Sequence, residues 1–504
     1  MNNQIIDLLH QFNTFEEIQN NVEDVNMMEL LINEFLEFPN SEQIVINELR
    51  KHYSLKSKTD IEKQIEELQE SYTKPEIQLS DEQQKFINIA LAGKNCCIVS
   101  GGGFGKSTVI KELIKQLNEK YEDNPDAIGV TAMTGVAAVL IGATTINSFL
   151  KIGLAKDSAE DLYKRISKSK RDRSKFNVLS KDLKVLIIDE ISMMSAALFG
   201  KISDYFKYIR RCDQPFGGVQ IILSGDLCQL PPIENKSGYI FQSEEWKEMD
   251  MCVIELTKCF RQSKDLEFQE ILSNIRFGKI DNKSYLRLQE LNTSKFEDSG
   301  ILPTKLFPTN KEVDSFNEQC LNNLCQDTDQ QLFEFKIKKV SKDSKKIQDV
   351  ILLNGIPESV YLAIGAQVMI TFNINIEAEL VNGTRGVITD ICNNSITIKK
   401  LDGSIHVITY VAAYDPEEKH KDHPTSIFEY IPLKVAFATS VHKSQGSTIE
   451  FLEVDLSKSF GYGMGYVALS RAVSLDNLII TGITKNAFRC CPLVKKFYQE
   501  LNYT

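Results

Sequence analysis

A glycine-rich turn between an apolar run and a helical pattern constrains this chain more than any other feature of its sequence. The run Cys96–Val99 leads into a turn with four glycines, which opens onto Lys106 and Ser107. Glycines let successive backbone N–H groups curl around an anion, a lysine reaches the outer phosphates, and a hydroxyl holds Mg²⁺. We therefore predict a strand, a phosphate-binding loop, a helix and a bound nucleoside triphosphate. The expected nucleotide contacts are Gly101, Gly102, Gly103, Gly105, Lys106, Ser107 and Thr108.

One position departs from the usual spacing of such a loop, G-x-x-x-x-G-K-[ST]. The pattern calls for glycine at position 100, where this chain has Ser100. A Cβ at this corner is expected to strain the first turn, although the three glycines that follow keep the loop supple. A chance glycine-rich turn is the alternative interpretation, and the intact run of Gly105, Lys106 and Ser107 argues against it.

A second apolar run, at residues 185–188, ends in two carboxylates. Asp189 is placed to hold the Mg²⁺ of a nucleotide, and Glu190 to activate the attacking water. A third run leads to Gln229, whose amide lies at the carboxyl edge of a strand, where parallel sheets bind ligands. We expect Gln229 to sense the γ-phosphate. The plainer interpretations are a helix N-cap for the acidic pair and a proline-terminated turn for Gln229.

Length and charge bound the class of protein. A chain of 504 residues is too long for one ordinary core and predicts about two to four domains. Residues 1–78 carry 16 acidic and 6 basic side chains, whereas the other 426 residues carry 53 acidic and 52 basic ones. The net charge of −11 is therefore concentrated at the N-terminus. The body of the chain is compatible with a local basic groove for nucleic acid, and a neutral enzyme without one is the alternative.

The sequence lacks signals for a membrane or an extracellular location. No apolar run approaches the ~20 residues that a bilayer span needs, and the N-terminus resembles neither a secretory signal nor an Arg-rich transit peptide. Eleven cysteines occur without a C-x-x-C pair, which predicts reduced thiols and no zinc or iron–sulfur site. We expect an intracellular protein, nuclear in a eukaryote and otherwise in the cytoplasm or at a viral replication site.

The spacing of apolar residues divides the chain. Residues 1–78 predict an acidic helical domain, in which Thr59 and Glu62 form a capping box. From residue 79, apolar runs alternate with helical patterns, which predicts buried parallel strands joined by helices. A stretch of short strands punctuated by Asp, Asn and Gly then predicts an antiparallel β insertion. The expected boundaries are 79–248 for a first lobe, 249–330 with 431–504 for a second lobe, and 331–430 for the insertion.

Further motifs lie between residues 79 and 480. They occupy residues 79–83, 131–138, 142–149, 256–262, 441–446 and 466–472. Two more stretches, at 208–211 and 215–220, contain Tyr-Ile-Arg-Arg and Pro-Phe-Gly-Gly-Val-Gln. Together these motifs resemble those of superfamily-one DNA helicases of the Pif-one type, and the last two stretches separate that type from RecD-like and Dda-like relatives.

The resemblance implies an α/β fold of two RecA-like P-loop lobes. It adds a small β-barrel insertion in the second lobe, a wedge-like insertion at about residues 150–180 and the α-helical N-terminal appendage. It also implies an ATP- and Mg²⁺-dependent DNA helicase that translocates 5′-to-3′ on single-stranded DNA and unwinds duplexes in replication, repair or recombination. Within the motifs, Gln83 is implied to read the adenine, and Gly446 to contact the nucleotide.

Two arginines are implied to act as arginine fingers. Arg261 and Arg471 would reach from the second lobe to the γ-phosphate of ATP held by the first lobe, where positive charge stabilises phosphoryl transfer. A surface ion pair is the alternative role for each arginine. With these two residues, the expected catalytic set comprises Lys106, Glu190, Gln229, Arg261 and Arg471.

A track for single-stranded DNA is also implied. Sequence-tolerant binding requires backbone donors, hydroxyls and stacking faces. The residues implied to supply them are Thr134, Gly135, Thr145, Asn147, Phe149, His442 and Lys443. Asn147 replaces a histidine typical of the family, and core packing is the alternative role for Phe149. Two basic runs, at 164–175 and 336–346, are candidates for phosphate or duplex contacts, with a solvated surface as the alternative.

Single-stranded and forked DNA are the expected partners of a monomeric protein. Residues 1–78 are expected either to recruit a replication protein or to shield the DNA groove by mimicking phosphate charge. Two alternatives stay open at this point. A RecD-like or Dda-like translocase shares the motor but lacks the stretches between 208 and 220, and a DNA-binding scaffold would follow if Ser100 weakened the phosphate loop.

Overall fold

The computed structural model describes residues 79–504 apart from short gaps. The gaps are positions 171, 233–236, 260–264, 293–301, 329–330, 342–346, 349, 352–355, 373, 376–377, 379, 381–382, 401, 415–425, 458–460 and 502–504. The predicted N-terminal domain at residues 1–78 and the predicted finger Arg261 lie outside the described residues.

Six strands form a parallel first sheet. They are β1 (Cys96–Val99), β2 (Ile128–Ala132), β3 (Thr144–Thr145), β4 (Val185–Asp189), β5 (Gln220–Gly225) and β6 (Cys252–Glu255). Their order is β3-β2-β4-β5-β1-β6, and all neighbours pair in parallel. Every residue of β1 and β4 is buried, as expected for apolar strands covered on both faces. The predicted alternation of buried parallel strands and helices is confirmed here.

Helices connect and cover these strands. They are α1 (Asp81–Leu91), α2 (Lys106–Lys120), α3 (Gly135–Leu140), α4 (Ile146–Phe149), α5 (Ala159–Lys168), α6 (Arg173–Asn177), α7 (Ala196–Arg210) and α8 (Glu244–Glu248). The long helix α2 buries an apolar stripe at helical spacing, formed by Val109, Ile110, Leu113 and Leu117. Because α2 begins directly after the glycine-rich loop, packing of this stripe fixes the loop relative to the sheet.

A second parallel sheet has four strands. They are β7 (Thr304–Phe307), β18 (Ala438–Ser440), β19 (Leu452–Leu456) and β20 (Leu478–Ile483), in the order β18-β7-β19-β20. The accompanying helices are α9 (Leu266–Arg276), α10 (Asn282–Gln289), α11 (Asn310–Thr328), α12 (Met464–Leu469) and α13 (Pro492–Leu501). In the part of the chain that the structure describes, no helix combines the length and apolar character needed to cross a bilayer.

The chain between α11 and β18 forms antiparallel sheets. Its strands are β8 (Phe333–Lys336), β9 (Lys338–Lys339), β10 (Ser359–Leu362), β11 (Gln367–Ile370), β12 (Arg385–Cys392), β13 (Ser395–Lys399), β14 (Ile405–Thr409), β15 (Val411–Tyr414), β16 (Ser426–Tyr430) and β17 (Leu433–Val435). The largest sheet, β14-β13-β12-β11-β17, packs on its own apolar core, which includes Val368, Ile388 and Ile396. The predicted antiparallel insertion is confirmed, and its closure into a barrel stays a prediction.

One expected boundary differs from the structure. The sequence assigns residues 249–330 to the second lobe, yet β6 pairs with β1 in the first sheet, with Cys96 opposite Cys252. The short apolar run at 252–255 forms an edge strand because β1 supplies hydrogen-bonding partners for its backbone N–H and C=O groups. A boundary at residue 248 would therefore remove one strand from the first sheet.

The start of α12 packs closely against the loop that follows β5. Gly463 has φ +73°, and a Cβ there would overlap the carbonyl oxygen of Gln229 and lie 2.6 Å from that of Cys228. Only glycine combines a left-handed backbone with so close an approach of another backbone. This contact joins the part of the chain that carries the second sheet to the first sheet.

One arginine holds together the segment that contains the stretches at 208–211 and 215–220. At the end of α7, Arg210 Nε donates to the carbonyl of Gly217 at 2.9 Å. Its Nη1 donates to the carbonyls of Leu179 at 3.1 Å and Leu183 at 3.2 Å. Phe216, with φ +52°, is fully buried beside it. These contacts give the segment a structural role in holding the turn before β5.

Replacing Arg210 with Met should destabilise the first-sheet domain by about 2–4 kcal/mol, because three carbonyls lose a charged donor while the aliphatic packing is kept. Thermal unfolding followed by circular dichroism measures the change. The neighbouring exposed Arg211 is the matched control, and its change to Met should cost under about 0.5 kcal/mol. Equal midpoints for the two variants would remove the structural role of Arg210.

Replacing Gly463 with Ala should destabilise the protein by about 2–4 kcal/mol, because the new Cβ collides with backbone carbonyls and the residue keeps a positive φ. Gly461 is the control, since a Cβ there would meet only Met464 Sδ at 3.5 Å and Cγ at 3.8 Å. Chemical unfolding curves of both alanine variants make the comparison. A Gly463 variant as stable as the Gly461 variant contradicts the close packing of α12.

Candidate active site

The carboxyl ends of β1, β4 and β5 meet at one edge of the first sheet, beside a cavity of about 360 Å³. Parallel strands place the loops that follow them at one edge, where such sheets bind ligands. The residues lining the cavity are Gly102, Gly103, Gly105, Lys106, Ser107, Thr108, Ala137, Asp189, Glu190, Gln229, Gly446 and Arg471. The structure thus brings most of the predicted nucleotide and catalytic residues together, although they are up to 369 positions apart in the sequence.

The glycine-rich loop has the geometry of an anion cradle. Gly105 precedes α2 with φ +82°, and no described side chain caps the first N–H groups of that helix. Lys106 Nζ donates to the carbonyl oxygens of Ser100 and Gly101, each at 2.8 Å. Burial lowers the pKa of Lys106, against the opposing effect of nearby carboxylates. A helix N-terminus beside this lysine suits a phosphate chain.

Ser100 fits its position without backbone strain. It is fully buried, and it is not among the described residues with a positive φ. The left-handed positions of the loop are instead Gly103, at φ +91°, and Gly105. The strain expected from a Cβ at position 100 is therefore not found, because the turn takes its unusual backbone angles at the later glycines.

Asp189 and Glu190 lie at the end of β4 and are nearly fully buried. Burial raises the pKa of both carboxyls, and the charge of Asp189 raises that of Glu190 further. Gln445 Nε2 donates to Glu190 Oε2 at 3.2 Å and to Ser192 Oγ at 3.1 Å. Glu190 also has φ +55°, a left-handed conformation that is costly for a residue with a Cβ. The pair can supply oxygen ligands for a cation and a base for water.

Arg471 reaches the cavity from the part of the chain that carries the second sheet, and only 2% of it is exposed. Its Nε donates to the carbonyl of Val467 at 3.0 Å, and its Nη1 to that of Ser447 at 3.1 Å. Nη2 donates to Ser470 Oγ at 2.8 Å and lies 3.6 Å from the place that a Cβ on Gly102 would take. The guanidinium group is buried beside the glycine-rich loop.

A buried network beside the loop was missed by the sequence analysis. Asp226 follows β5, is fully buried and pairs with Arg276 Nη2 at 3.1 Å. Tyr466 donates its hydroxyl proton to Asp226 Oδ2 at 3.0 Å and accepts the N–H of Gly102 at 3.2 Å. Burial lowers the pKa of Arg276, but Asp226 and the neighbouring tyrosine and cysteine side chains together outweigh it, so the net shift is upward. The sequence signal available was the position of Asp226 just after a predicted strand.

Gln83 lies outside the cavity lining and caps α1. Its Oε1 accepts the N–H of Ser80 at 2.9 Å, while Ser80 Oγ accepts the N–H of Gln83 at 3.4 Å. Its Nε2 donates to the carbonyl of Phe104 at 3.4 Å. Ser80 and Gln83 therefore form a capping box at the start of α1, and the adenine contact stays a prediction.

Gln229 lies on the cavity wall after β5, with 4% of the residue exposed. Its Oε1 is buried and has no hydrogen-bond partner among the described residues. A buried amide oxygen in this condition is rare in native proteins and calls for a water or a ligand. The position suits the expected role toward the γ-phosphate, which stays a prediction.

The residues predicted to bind DNA are split between the two sheets. Thr134 and Gly135 follow β2, and Thr145 ends β3, which pairs with β2. Both threonine hydroxyls accept backbone N–H groups of the next turn, at 3.2 Å for Thr134 and 3.4 Å for Thr145. His442 and Lys443 follow β18 and are exposed. These five residues lie at carboxyl ends of parallel strands, and their contact with DNA stays a prediction.

Phe149 packs into the molecule. Its ring centroid lies 3.3 Å from Lys175 Nζ, and a Cβ on Gly129 would lie 2.6 Å from its ring. Burial lowers the pKa of Lys175 to about 8, with a further contribution from Lys151. Stacking of Phe149 on a base would require these contacts to open. Asn147, two positions earlier, has a buried Oδ1 without a partner among the described residues.

Family models and curated relatives identify the chain's kinship. A model described as PIF1-like helicase matches residues 78–285, and one described as DNA helicase Pif1, 2B domain, matches residues 347–391. Uncharacterized protein 030L of Invertebrate iridescent virus 6 is 32% identical, over 84% of this chain and 94% of its own length. The ATP-dependent DNA helicase PIF1 of Xenopus laevis is 32% identical, over 84% of this chain and 65% of its own length. The chain thus spans just under two thirds of that relative.

Solved structures agree with this kinship. The crystal structure of Pif1 helicase from Candida albicans matches with a TM-score of 0.69 and 32% identity, over 84% of this chain and 100% of that one. Pif1 helicase from Bacteroides in complex with ADP-AlF3 and ssDNA matches at 0.61 and 26%, over 85% and 98%. A structure described as DNA unwinding at forked dsDNA by two coordinating Pif1 helicases matches at 0.59 and 26%, over 85% and 98%. The chain therefore belongs to the Pif1-like family of ATP-dependent DNA helicases.

Proposed function

We propose that this chain couples ATP hydrolysis to 5′-to-3′ movement along single-stranded DNA and to the unwinding of forked duplexes. One observation carries the proposal. A single cavity is lined by the glycine-rich loop, by the pair Asp189 and Glu190, and by Arg471 from the second-sheet part of the chain. A site divided in this way converts loss of the terminal phosphate into relative motion of the two parts. The Bacteroides relative with ADP-AlF3 and ssDNA supports the same pairing of ligands.

The phosphate-binding roles follow from the cavity wall. Lys106 exchanges its bonds to loop carbonyls for the β- and γ-phosphates of ATP. Ser107 and Asp189 offer a hydroxyl and a carboxylate to the same cavity, and these oxygen ligands fit Mg²⁺. When bound, Mg²⁺ neutralises charge on the phosphates as the terminal group leaves. Gly101, Gly103, Gly105 and Thr108 contribute backbone donors, and Gly102 contributes to the shape of the loop.

The chemical step uses the buried polar groups around the terminal phosphate. Glu190 accepts the proton of the attacking water, and the N–H of Gln445 stabilises its ionised form against the upward shift in pKa that burial causes. Gln229 turns its buried amide toward the γ-phosphate. Arg471, together with Arg261, neutralises the charge that develops there. Gly446 and Gln83 complete the nucleotide contacts.

The single strand crosses the carboxyl ends of both parallel sheets, which we assign to two RecA-like lobes. Hydroxyls and backbone donors at Thr134, Gly135 and Thr145 hold it on one side, and His442 and Lys443 hold it on the other. The β insertion closes as a barrel, and residues 1–78 either recruit a replication protein or shield the DNA groove. Asn147 and Phe149 take part after the packing of Phe149 on Lys175 opens.

Single-stranded DNA should stimulate ATP hydrolysis by the wild-type chain, and Lys106→Ala should abolish the activity. Arg471→Ala should lower kcat by about 10³-fold, as expected for loss of an arginine finger. Phosphate release with and without oligonucleotide measures both effects. Arg287, whose side chain pairs with Glu267 on α9, is the control arginine and should tolerate alanine. Hydrolysis that ignores both DNA and Lys106→Ala would support the scaffold alternative.

Forked DNA with a single-stranded 5′ tail should be unwound, whereas the same duplex with only a 3′ tail should stay intact. The 5′-to-3′ direction rests on the resemblance of the sequence motifs to those of Pif-one-type helicases, because the geometry of the ATP site does not depend on strand polarity. A fluorescence strand-displacement assay on paired substrates of equal sequence provides the measurement. Unwinding of the 3′-tailed substrate alone would reverse the assigned polarity and leave the ATPase proposal standing.

A further inference from the structure

Tyr466 contacts the glycine-rich loop directly. Its side chain lies on α12, in the second-sheet part of the chain, and is 4% exposed. Its hydroxyl accepts the N–H of Gly102 at 3.2 Å, and a Cβ on Gly101 would lie 3.1 Å from that oxygen. A backbone donor of the loop is therefore held by a side chain from the opposite wall of the active site.

The hydroxyl of Tyr466 has a fixed orientation. The O–H group donates a hydrogen bond to Asp226, which also pairs with Arg276 and accepts the N–H of Cys228 at 3.1 Å. Because the hydroxyl hydrogen points to the carboxylate, a lone pair of the tyrosine oxygen is free to accept the N–H of Gly102. A buried acceptor that is itself anchored on two sides gives the phenol little freedom to rotate.

The same short helix sets the position of Arg471. Arg471 Nε donates to the carbonyl of Val467, which is the residue after Tyr466. At the other end of α12, Gly463 packs on the backbone of Gln229. The helix thus carries Tyr466, which holds the glycine-rich loop, and Arg471, which lines the nucleotide cavity, follows two residues after the end of the helix.

We propose that Tyr466 is a positioning residue for ATP hydrolysis. By holding the backbone of Gly102, it fixes the distance between the glycine-rich loop and the guanidinium group of Arg471. The inference rests on the proposed function, in which Arg471 acts on the γ-phosphate. Tyr466 itself touches no reacting atom, so its effect passes through Arg471, and misplacement of such a group by a fraction of an ångström lowers kcat more than it changes KM.

The change Tyr466→Phe tests this role because it keeps the ring and removes the hydroxyl. Tyr498 provides a matched control, since its hydroxyl also donates to Asp226, at 3.4 Å, from a residue that is 2% exposed. We expect Tyr466→Phe to lower kcat for DNA-stimulated ATP hydrolysis about tenfold, with KM for ATP within about twofold. Tyr498→Phe should lower the thermal midpoint comparably and leave kcat within about twofold of wild type. Equal losses of kcat in both variants, or a wild-type kcat in Tyr466→Phe, overturn the proposal.

A double variant separates this inference from the proposed function. If Tyr466 acts through Arg471, the double variant Tyr466→Phe with Arg471→Ala should hydrolyse ATP with the same single-turnover rate constant as Arg471→Ala alone. Multiplication of the two effects would show that Tyr466 acts independently and would overturn the positioning role. An Arg471→Ala variant with wild-type kcat would instead overturn the finger role in the proposed function, whatever Tyr466→Phe does.

Discussion

The buried ion pair of Asp226 and Arg276 is the interaction on which the rest of the site depends. Two charges taken out of water are costly, and they are tolerated only when hydrogen bonds satisfy what the pair leaves open. Here Arg276 Nη1 also meets Glu255 at 3.2 Å, while Tyr466 and the N–H of Cys228 satisfy the carboxylate. Arg276 ends α9, whereas Asp226 follows β5 and Glu255 ends the edge strand β6. The two ion pairs of Arg276 therefore connect a helix outside the first sheet to that sheet. Removing either charge would leave the other one buried without an ionic partner, which is energetically costly.

Parallel strand topology explains how distant residues meet. Each strand of the first sheet ends at the same edge, so the loops after β1, β4 and β5 deliver the glycine-rich loop, Asp189 with Glu190, and Gln229 to one cavity. The remaining wall of the cavity needs residues from elsewhere in the chain. Arg471, which lies just after α12, is one of them. The cavity is thus divided by construction: the first sheet supplies the glycine-rich loop, Asp189 and Glu190, and the part of the chain with the second sheet supplies Arg471.

Local patterns predicted the elements, and long-range contacts decided what the elements do. The glycine-rich loop and the apolar runs at 96–99 and 185–188 were visible because anion binding and burial leave short signatures in sequence. The tyrosine contact to Gly102 was not, since residues 364 positions apart share no local pattern. Phe149 shows the same limit: its motif left a DNA contact and core packing both open, because packing against Lys175 and Gly129 depends on elements folded around it. The strand at 252–255 was placed in the wrong lobe because its partner β1 lies over 150 residues earlier.

Ser100 was the one sequence feature that favoured a weakened, non-catalytic chain, and the structure removes the physical reason for it. A missing glycine matters where the backbone needs a positive φ, and in this loop that need falls on Gly103 and Gly105. Ser100 even adds an acceptor, since Lys106 Nζ lies 3.3 Å from its hydroxyl oxygen as well as 2.8 Å from its carbonyl. A serine at this corner keeps the lysine beside the loop. The departure from the usual spacing is therefore a substitution that the loop accommodates, and it gives no ground for separating this chain from the hydrolytic members of its family.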